Sequence, residues 1–395
     1  MSENNILEVE NLNVRFYTYA GVVEALDYVN LTMRKGEILG LVGETGCGKS
    51  VTSLSIMRLV PPPGKIEGGN ITFIEGSKRQ SVFKMDDSSL RKMRGKDISM
   101  IFQEPRAYLN PVYSVENQIA EVLIEHRKEE FLEMAIEAHH KRTLENLAKT
   151  KGAKAAGDAE RAGKVPSTFE ISTYKRLLKN PRSLITRFLS RFSRQRLFAD
   201  EVRKEVVRIL KSVEIPDPER VAKMYPHELS GGMAQRVVIA MGLGCNPALL
   251  IADEPTTNLD VTVQAQILNL IRQLKKNLDS SILYITHDLG VVAQLCDRVV
   301  VMYAGNIIEM TDVFEIFKNP LHPYAKALLE SIPRPGQAFK SIRGLVPSLI
   351  SPPEGCRFND RCSYTMEICL KVKPPFIEAN KDHYVSCHLY GEKSK

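Results

Sequence analysis

At 395 residues the chain has room for about two to three domains, and its 43% hydrophobic and 26% charged residues are ordinary for a globular protein, which excludes a wholly disordered or collagen-like chain. No run approaches the ~18–20 continuous apolar residues of a membrane-spanning helix. Residues 1–10 are polar and acidic, without the apolar stretch of a secretory signal, so a cytoplasmic chain that meets a membrane from its surface is expected.

The formal charge of +7 is uneven. Residues 127–211 hold 21 Lys and Arg against 11 Asp and Glu, and the remainder is mildly acidic. Such a block suits nucleic acid, anionic lipid or an acidic partner; a solvated helical face is the plainer reading.

Taken in chain order, residues 6–9 and 13–16 are two short strand-type runs. Residues 37–42, bounded by Gly36 and Gly43, read as a buried parallel strand. Residues 50–59 carry helical spacing that Pro61-Pro62-Pro63-Gly64 stops. Short strands and helices alternate over 88–125, and a charged, mostly helical stretch fills 127–211, with a flexible link at 151–164. Strand, helix, strand and strand follow at 249–252, 263–274, 282–286 and 299–303, the alternation of a parallel α/β sheet. After Pro320 the chain turns rich in Pro and then Cys, and a domain boundary is set there. No internal repeat is visible.

Gly43-Glu44-Thr45-Gly46-Cys47-Gly48-Lys49-Ser50 is a phosphate-loop pattern between predicted strand and helix. Small residues let backbone N–H groups curl around a β-phosphate. Lys49 adds charge at the β- and γ-phosphates, the Ser50 hydroxyl can ligate Mg²⁺, and the helix start, continuing into Val51, favours an anion. A glycine turn without nucleotide is the alternative. Leu249-Leu250-Ile251-Ala252-Asp253-Glu254 is an apolar strand ending in two carboxylates. Asp253 can hold Mg²⁺ through water, and Glu254 can polarise an attacking water. Ser230-Gly231-Gly232, before a helix, offers a hydroxyl and backbone N–H groups to an anion.

These three motifs together, with Leu229 completing an LSGG sequence, resemble the ATP-binding-cassette (ABC) ATPases. The resemblance covers about residues 6–318, apart from the basic segment. It implies an α/β fold: an ABC-type P-loop nucleotide-binding domain with a parallel-sheet core, an antiparallel β subdomain and a helical subdomain. It implies further roles as well. Gln103 looks like the Q-loop glutamine that senses Mg²⁺ and the membrane partner. Asp260 looks like the D-loop residue that communicates across a dimer, and His287 like the switch histidine on the γ-phosphate. Tyr19, or failing that Tyr17, would stack on adenine. Asn258 and Ala234 depart from the family pattern, where a small residue and Arg are common, but neither removes a catalytic group. Because the phosphate loop of one chain faces the LSGG of another in this family, an active dimer is implied.

The run from Pro320 to Leu329, followed by Pro333, Pro335 and Pro347, resembles the C-terminal extension of oligopeptide/dipeptide importer ATPases. Cys356, Cys362, Cys369 and Cys387 follow, four thiolates that satisfy either zinc or an iron–sulfur cluster. Tight C-x2-C pairs, usual for zinc, are absent, and the resemblance points to a [4Fe-4S] cluster, with zinc or free thiols as alternatives. The division expected is thus a nucleotide-binding domain over 1–318 and a small Cys-rich module over 319–395.

A basic insertion of roughly 60 residues, about 139–199, falls where the family's helical subdomain docks on membrane subunits. Within it Leu177, Leu178, Leu184, Ile185, Phe188, Leu189 and Phe192 recur at helical spacing among Lys and Arg, the pattern of a membrane-surface or partner-binding helix.

The resemblance implies an ATPase subunit powering uptake of oligopeptides, dipeptides or oligosaccharides, with ATP and Mg²⁺. The implied partners are two transmembrane permease subunits, an extracytoplasmic solute-binding protein and a second ABC ATPase. Residues 50–57 and 64–69 look like the first of two paired ATPases, so a heterodimer is expected. The alternative is an ABC ATPase acting on nucleic acid or ribosomes through the basic insertion; its usual tandem cassettes and long heptads are lacking.

Overall fold

The computed structural model describes residues 4–151, 193–277, 280–332 and 341–391. The core of the basic insertion, including all seven apolar residues named for its helix, lies outside the described residues, as does most of the link at 151–164.

The described strands are β1 (Asn5–Thr18), β2 (Gly21–Arg34), β3 (Ile38–Val42), β4 (Gly64–Glu75), β5 (Lys78–Ser81), β6 (Ile98–Ile101), β7 (Leu249–Asp253), β8 (Ser281–Thr286), β9 (Arg298–Tyr303), β10 (Asn306–Asp312), β11 (Phe376–Asn380) and β12 (His383–Ser386). Contacts divide the chain into two compact units, residues 1–108 with 246–395, and residues 109–245.

The first unit holds two sheets. One is antiparallel, ordered β2-β1-β4-β5. The two short runs expected at 6–9 and 13–16 are one strand, β1, whose register against β2 and β4 shifts between Val9 and Leu12 and beyond. Asn11 sits at that irregularity with φ +48°, its N–H donating to Asn30 Oδ1 at 2.9 Å. A polar pair at a bulge interrupts the hydrophobic alternation without ending the strand.

The second sheet runs β11-β12-β10-β9-β3-β8-β7-β6. Its five strands from β9 to β6 are parallel, and β10, β12 and β11 add on antiparallel. β3, β7, β8 and β9 are buried along their whole length, which is why they read as continuous apolar runs rather than alternating ones. Leu39, Leu41, Ile251, Leu283, Ile285 and Val300 pack on one side of this sheet with the antiparallel sheet's Leu7, Leu31 and Phe73.

The C-terminal residues do not stand as a separate module. β12 pairs with β10, and Phe358 packs with Tyr303, Tyr324 and Val301 in the core of the first unit. The physical reason is Glu309 on β10, fully buried. Its carboxylate accepts from the N–H groups of Leu321 (2.8 Å) and His322 (2.7 Å) and pairs with His383 Nε2 at 2.7 Å. A buried carboxylate needs such partners, and the extension supplies all three.

The second unit is helical, with long helices Val115–Lys151 and Ser193–Ser212 packed together and against Gly231–Leu243. Val115, Ile119, Leu123, Val206, Leu210 and Val237 form its interior. The first helix breaks at Arg127 (φ −121°, ψ 19°). There the guanidinium binds Glu130 and Glu205, each at 2.7 Å, and the Gly244 carbonyl at 3.1 Å.

Candidate active site

Four neighbouring parallel strands, in the order β3-β8-β7-β6, deliver their C-terminal ends to one place, the edge where open parallel sheets bind ligands. β3 runs into the loop 43–48 and the helix Lys49–Ile56. β7 ends in Asp253, β8 leads to His287, and β6 leads to Gln103.

The phosphate loop has little room. A Cβ on Gly43 would lie 2.2 Å from the Met302 carbonyl oxygen. Gly48, the residue before the helix, has φ +106°, and a Cβ there would meet Leu26 at 2.7 Å. Both positions therefore exclude side chains. Cys47 is buried behind the loop, whereas Thr45 is exposed and Gly46 faces open space. Val51 lies partly buried against the apolar core.

Lys49 is 6% exposed, and its ammonium donates to the carbonyls of Gly43 (2.7 Å) and Glu44 (3.1 Å). A buried cation must be partnered, and here it ties the helix start back to the beginning of the loop. Ser50 Oγ donates to Asp253 Oδ1 at 3.3 Å, and Ser53 Oγ to Asp253 Oδ2 at 3.5 Å. Burial pushes the Asp253 carboxyl above the usual carboxylate range, with neighbouring Glu254 adding to it.

Glu254 is the hub of the site. Its backbone is left-handed at φ +46°, a position non-glycine residues rarely take and one that clusters at functional sites. Its N–H donates to the Ile285 carbonyl of β8 at 3.0 Å. Oε2 accepts from Gln103 Nε2 (3.2 Å) and Thr257 Oγ1 (2.9 Å), and Oε1 lies 3.3 Å from His287 Nδ1. His287 is more than half exposed, so the imidazole is placed between Glu254 and the open side. Thr257 was not singled out from the sequence. Its signal was position, three residues beyond Glu254 in a turn closed by its own N–H on the Glu254 carbonyl at 3.2 Å.

Other expected residues are dispersed. Tyr19 is fully exposed at the turn between β1 and β2, while Tyr17 hydrogen-bonds Glu67 and lies under Lys65. Asp260 caps the helix Val261–Asn277, accepting from the Val263 N–H at 2.9 Å. Asn258 is left-handed at φ +64°, a conformation Asn tolerates better than most residues. Ser230 caps Gly231–Leu243 in the helical unit, Oγ accepting from Met233 N–H at 3.3 Å, with Gly231 exposed and Gly232 partly so.

Cys356, Cys362, Cys369 and Cys387 line one small pocket. Burial pushes the Cys356 thiol up to about 11, and the other three thiols add to that rise. Burial raises Cys387 too. Among the described residues no three or more His, Cys, Asp or Glu side chains stand together as a metal-holding group. The donor set thus fits a metal in kind and not in spacing, and the expected [4Fe-4S] cluster finds no support in this geometry. Also among the described residues, no helix is long and apolar enough to cross a membrane.

A family model described as "ABC transporter" matches residues 26–257, and one described as "Oligopeptide/dipeptide transporter, C-terminal region" matches 308–369. The chain is similar to the dipeptide transport ATP-binding protein DppD of Bacillus subtilis, 41% identical and covering 99% of this chain and 96% of the relative. It is also similar to the oligopeptide transport ATP-binding protein OppD of the same organism, at 40% identity over 97% and 88%. Among solved structures, the dimeric, ADP- and phosphate-bound ATP-binding cassette MJ0796 matches with TM-score 0.53 at 22% identity, covering 78% of this chain and 98% of that one. That likeness bears on the fold alone.

Proposed function

The chain belongs to the ABC transporter family, and from that membership we propose that it is the ATP-hydrolysing subunit of an importer for dipeptides or oligopeptides. Two relatives named for those cargoes support the substrate class. One observation carries the reading: Lys49, Ser50, Gln103, Asp253, Glu254 and His287 meet at the C-terminal ends of four adjacent parallel strands.

In this reading Lys49 leaves its loop carbonyls for the β- and γ-phosphates. Ser50, Gln103 and Asp253 are the residues that would hold Mg²⁺, which supplies charge neutralisation. Glu254 accepts a proton from water as the water oxygen bonds to the γ-phosphorus and the bond to the β–γ bridging oxygen breaks, giving ADP and phosphate. His287 contacts the γ-phosphate, and Thr257 and Gln103 orient Glu254.

Tyr19, exposed at its turn, stacks on adenine. Ser230, Gly231 and Gly232 meet the phosphates bound by a second subunit, a sibling ATPase in a heterodimer, with Asp260 at the junction. Two permease subunits and an extracytoplasmic binding protein complete the importer, and this chain sits at the cytoplasmic membrane face. The basic insertion touches anionic headgroups or the permease, and 319–395 is the importer-type extension. A metal centre on Cys356, Cys362, Cys369 and Cys387, [4Fe-4S] or zinc, rests on the resemblance and on the donor types that line one pocket, not on their spacing. Metal analysis and visible absorbance of the purified chain test it, and a metal-free, colourless chain with full activity refutes it.

The deciding experiment is ATPase activity of the reconstituted complex with its binding protein, challenged with short peptides and oligosaccharides. Stimulation by peptides supports the proposal. Stimulation by oligosaccharides alone overturns the cargo, and stimulation by RNA or DNA overturns the importer reading.

A further inference from the structure

The phosphate loop carries a carboxylate, Glu44, at a place where polyanion binding disfavours one. Its partner comes from 317 residues away: Arg361 Nη1 donates to Glu44 Oε2 at 2.7 Å and Nη2 to Oε1 at 3.0 Å, a two-pronged pair. The Arg361 side chain is 5% exposed. It is held by the Arg343 carbonyl at 2.7 Å and Tyr303 Oη at 3.2 Å, and it lies against the rings of Tyr303 and Phe358. A second tie runs to the same residue, since the Glu44 backbone N–H donates to Tyr324 Oη at 3.0 Å. Tyr324 is fully buried, its ring 4.7 Å from Tyr303 and 5.4 Å from Phe358. The loop is thus gripped by backbone and by side chain from residues outside the family match at 26–257.

We propose that Arg361 and Tyr324 are positioning residues for nucleotide binding: Arg361 neutralises Glu44 so that the loop accepts a polyphosphate, and Tyr324 fixes the backbone at the loop's entrance. The inference rests on the ATP-binding reading of Gly43–Ser50. It assigns the extension a part in affinity for ATP. Without the guanidinium, Glu44 would repel the triphosphate across a short, partly desolvated distance, where charge interactions are stronger than in bulk water.

The test uses the full-length chain, with the Kd for Mg-ATP read by titration calorimetry and kcat read separately in the reconstituted complex. Arg361→Ala is expected to weaken binding about tenfold (about 1.4 kcal/mol), with kcat at saturation within twofold of the unsubstituted chain. The weakening shrinks as salt rises. Glu44→Gln in the Arg361→Ala background is expected to return Kd to within about threefold of the unsubstituted value, because the repelling charge is gone. Arg361→Lys, which keeps the cation without the fork, falls between and serves should the alanine variant not fold. Tyr324→Phe, which keeps the ring and frees the Glu44 N–H, weakens binding about threefold.

A double variant that binds as poorly as Arg361→Ala would overturn the charge role, since a merely structural arginine gains nothing from Glu44→Gln. For the lysine variant, weakening as large as the loss of the whole cation predicts, or weakening untouched by Glu44→Gln, overturns it likewise. Unchanged affinity in Tyr324→Phe would overturn the backbone role. A reconstituted complex whose chain binds ATP with these shifts yet never turns it over would refute the ATPase reading and leave this inference standing.

Discussion

Two carboxylates border the same nucleotide site and are treated in opposite ways. Glu44 is locked by a guanidinium fork, a permanent cation. Glu254 is held by an amide, a hydroxyl and an imidazole, none of them a permanent cation. On the proposed mechanism, the difference follows from what each has to do. A carboxylate that has only to be present without repelling phosphate is best neutralised outright. One that must accept a proton keeps its basicity only if its neighbours orient it without a fixed positive charge.

The sharpest way to break the contrast is to remove the basic group. Glu254→Gln is expected to bind Mg-ATP and lose at least ~100-fold in turnover, within the usual span for a general base; retained turnover in a phosphate-release assay would refute the assignment. Making the second site resemble the first comes next. Gln103→Lys sets an ammonium beside Glu254 and in place of a residue that would hold Mg²⁺, and is expected to lower kcat about tenfold in the same phosphate-release assay. Thr257→Val removes one of the donors and is expected to cost a few-fold in kcat, comparable to one hydrogen bond of ~1 kcal/mol, with little change in Kd.

The smallest effect concerns stability. Burial raises the Asp253 carboxyl above its ordinary value, so carrying the charge costs the folded chain more than the unfolded one. Asp253→Asn is therefore expected to raise Tm of the nucleotide-free chain by about 2 °C, the order of a 1 kcal/mol change or less at this size, while impairing Mg²⁺-dependent hydrolysis. The sign fixes the pH window: the cost of the charge is present above the raised folded value and vanishes as pH falls below the ordinary carboxylate range. A Tm gap that widened on acidification would contradict this account.

The contrast also marks what can be read from sequence. The surroundings of Glu254 were largely legible, because phosphate chemistry requires contiguous residues at strand ends and leaves local signatures at 43–50, 229–232 and 249–254. Gln103 and His287 came from family resemblance rather than from their own surroundings. The grip on Glu44 was not legible. Arg361 reads as one more charge beside Cys362, and nothing local pairs it with a residue 317 positions earlier. Tyr324 lay inside a run noticed only for its family likeness. For the same reason the extension looked like a module of its own. Its cysteines and prolines dominate the sequence, while the contacts that merge it with the main sheet depend on one buried glutamate on β10. β1 was split in two because an irregularity at Asn11 imitates a chain turn.

The strand pairing of β10 with β12 carries a practical consequence for anyone shortening the chain. β10 is a strand of Ile307, Ile308 and Met310, buried on both faces, whereas β11, the outermost strand, is short and half exposed and carries Glu378 and Asn380. The last strands therefore act as a selvedge that finishes the sheet with a polar border. A truncation before Phe376 would leave an apolar strand with unpaired N–H and C=O groups, the template on which separate chains stick together. Such a truncated protein should form aggregates in light scattering even where its nucleotide site is intact.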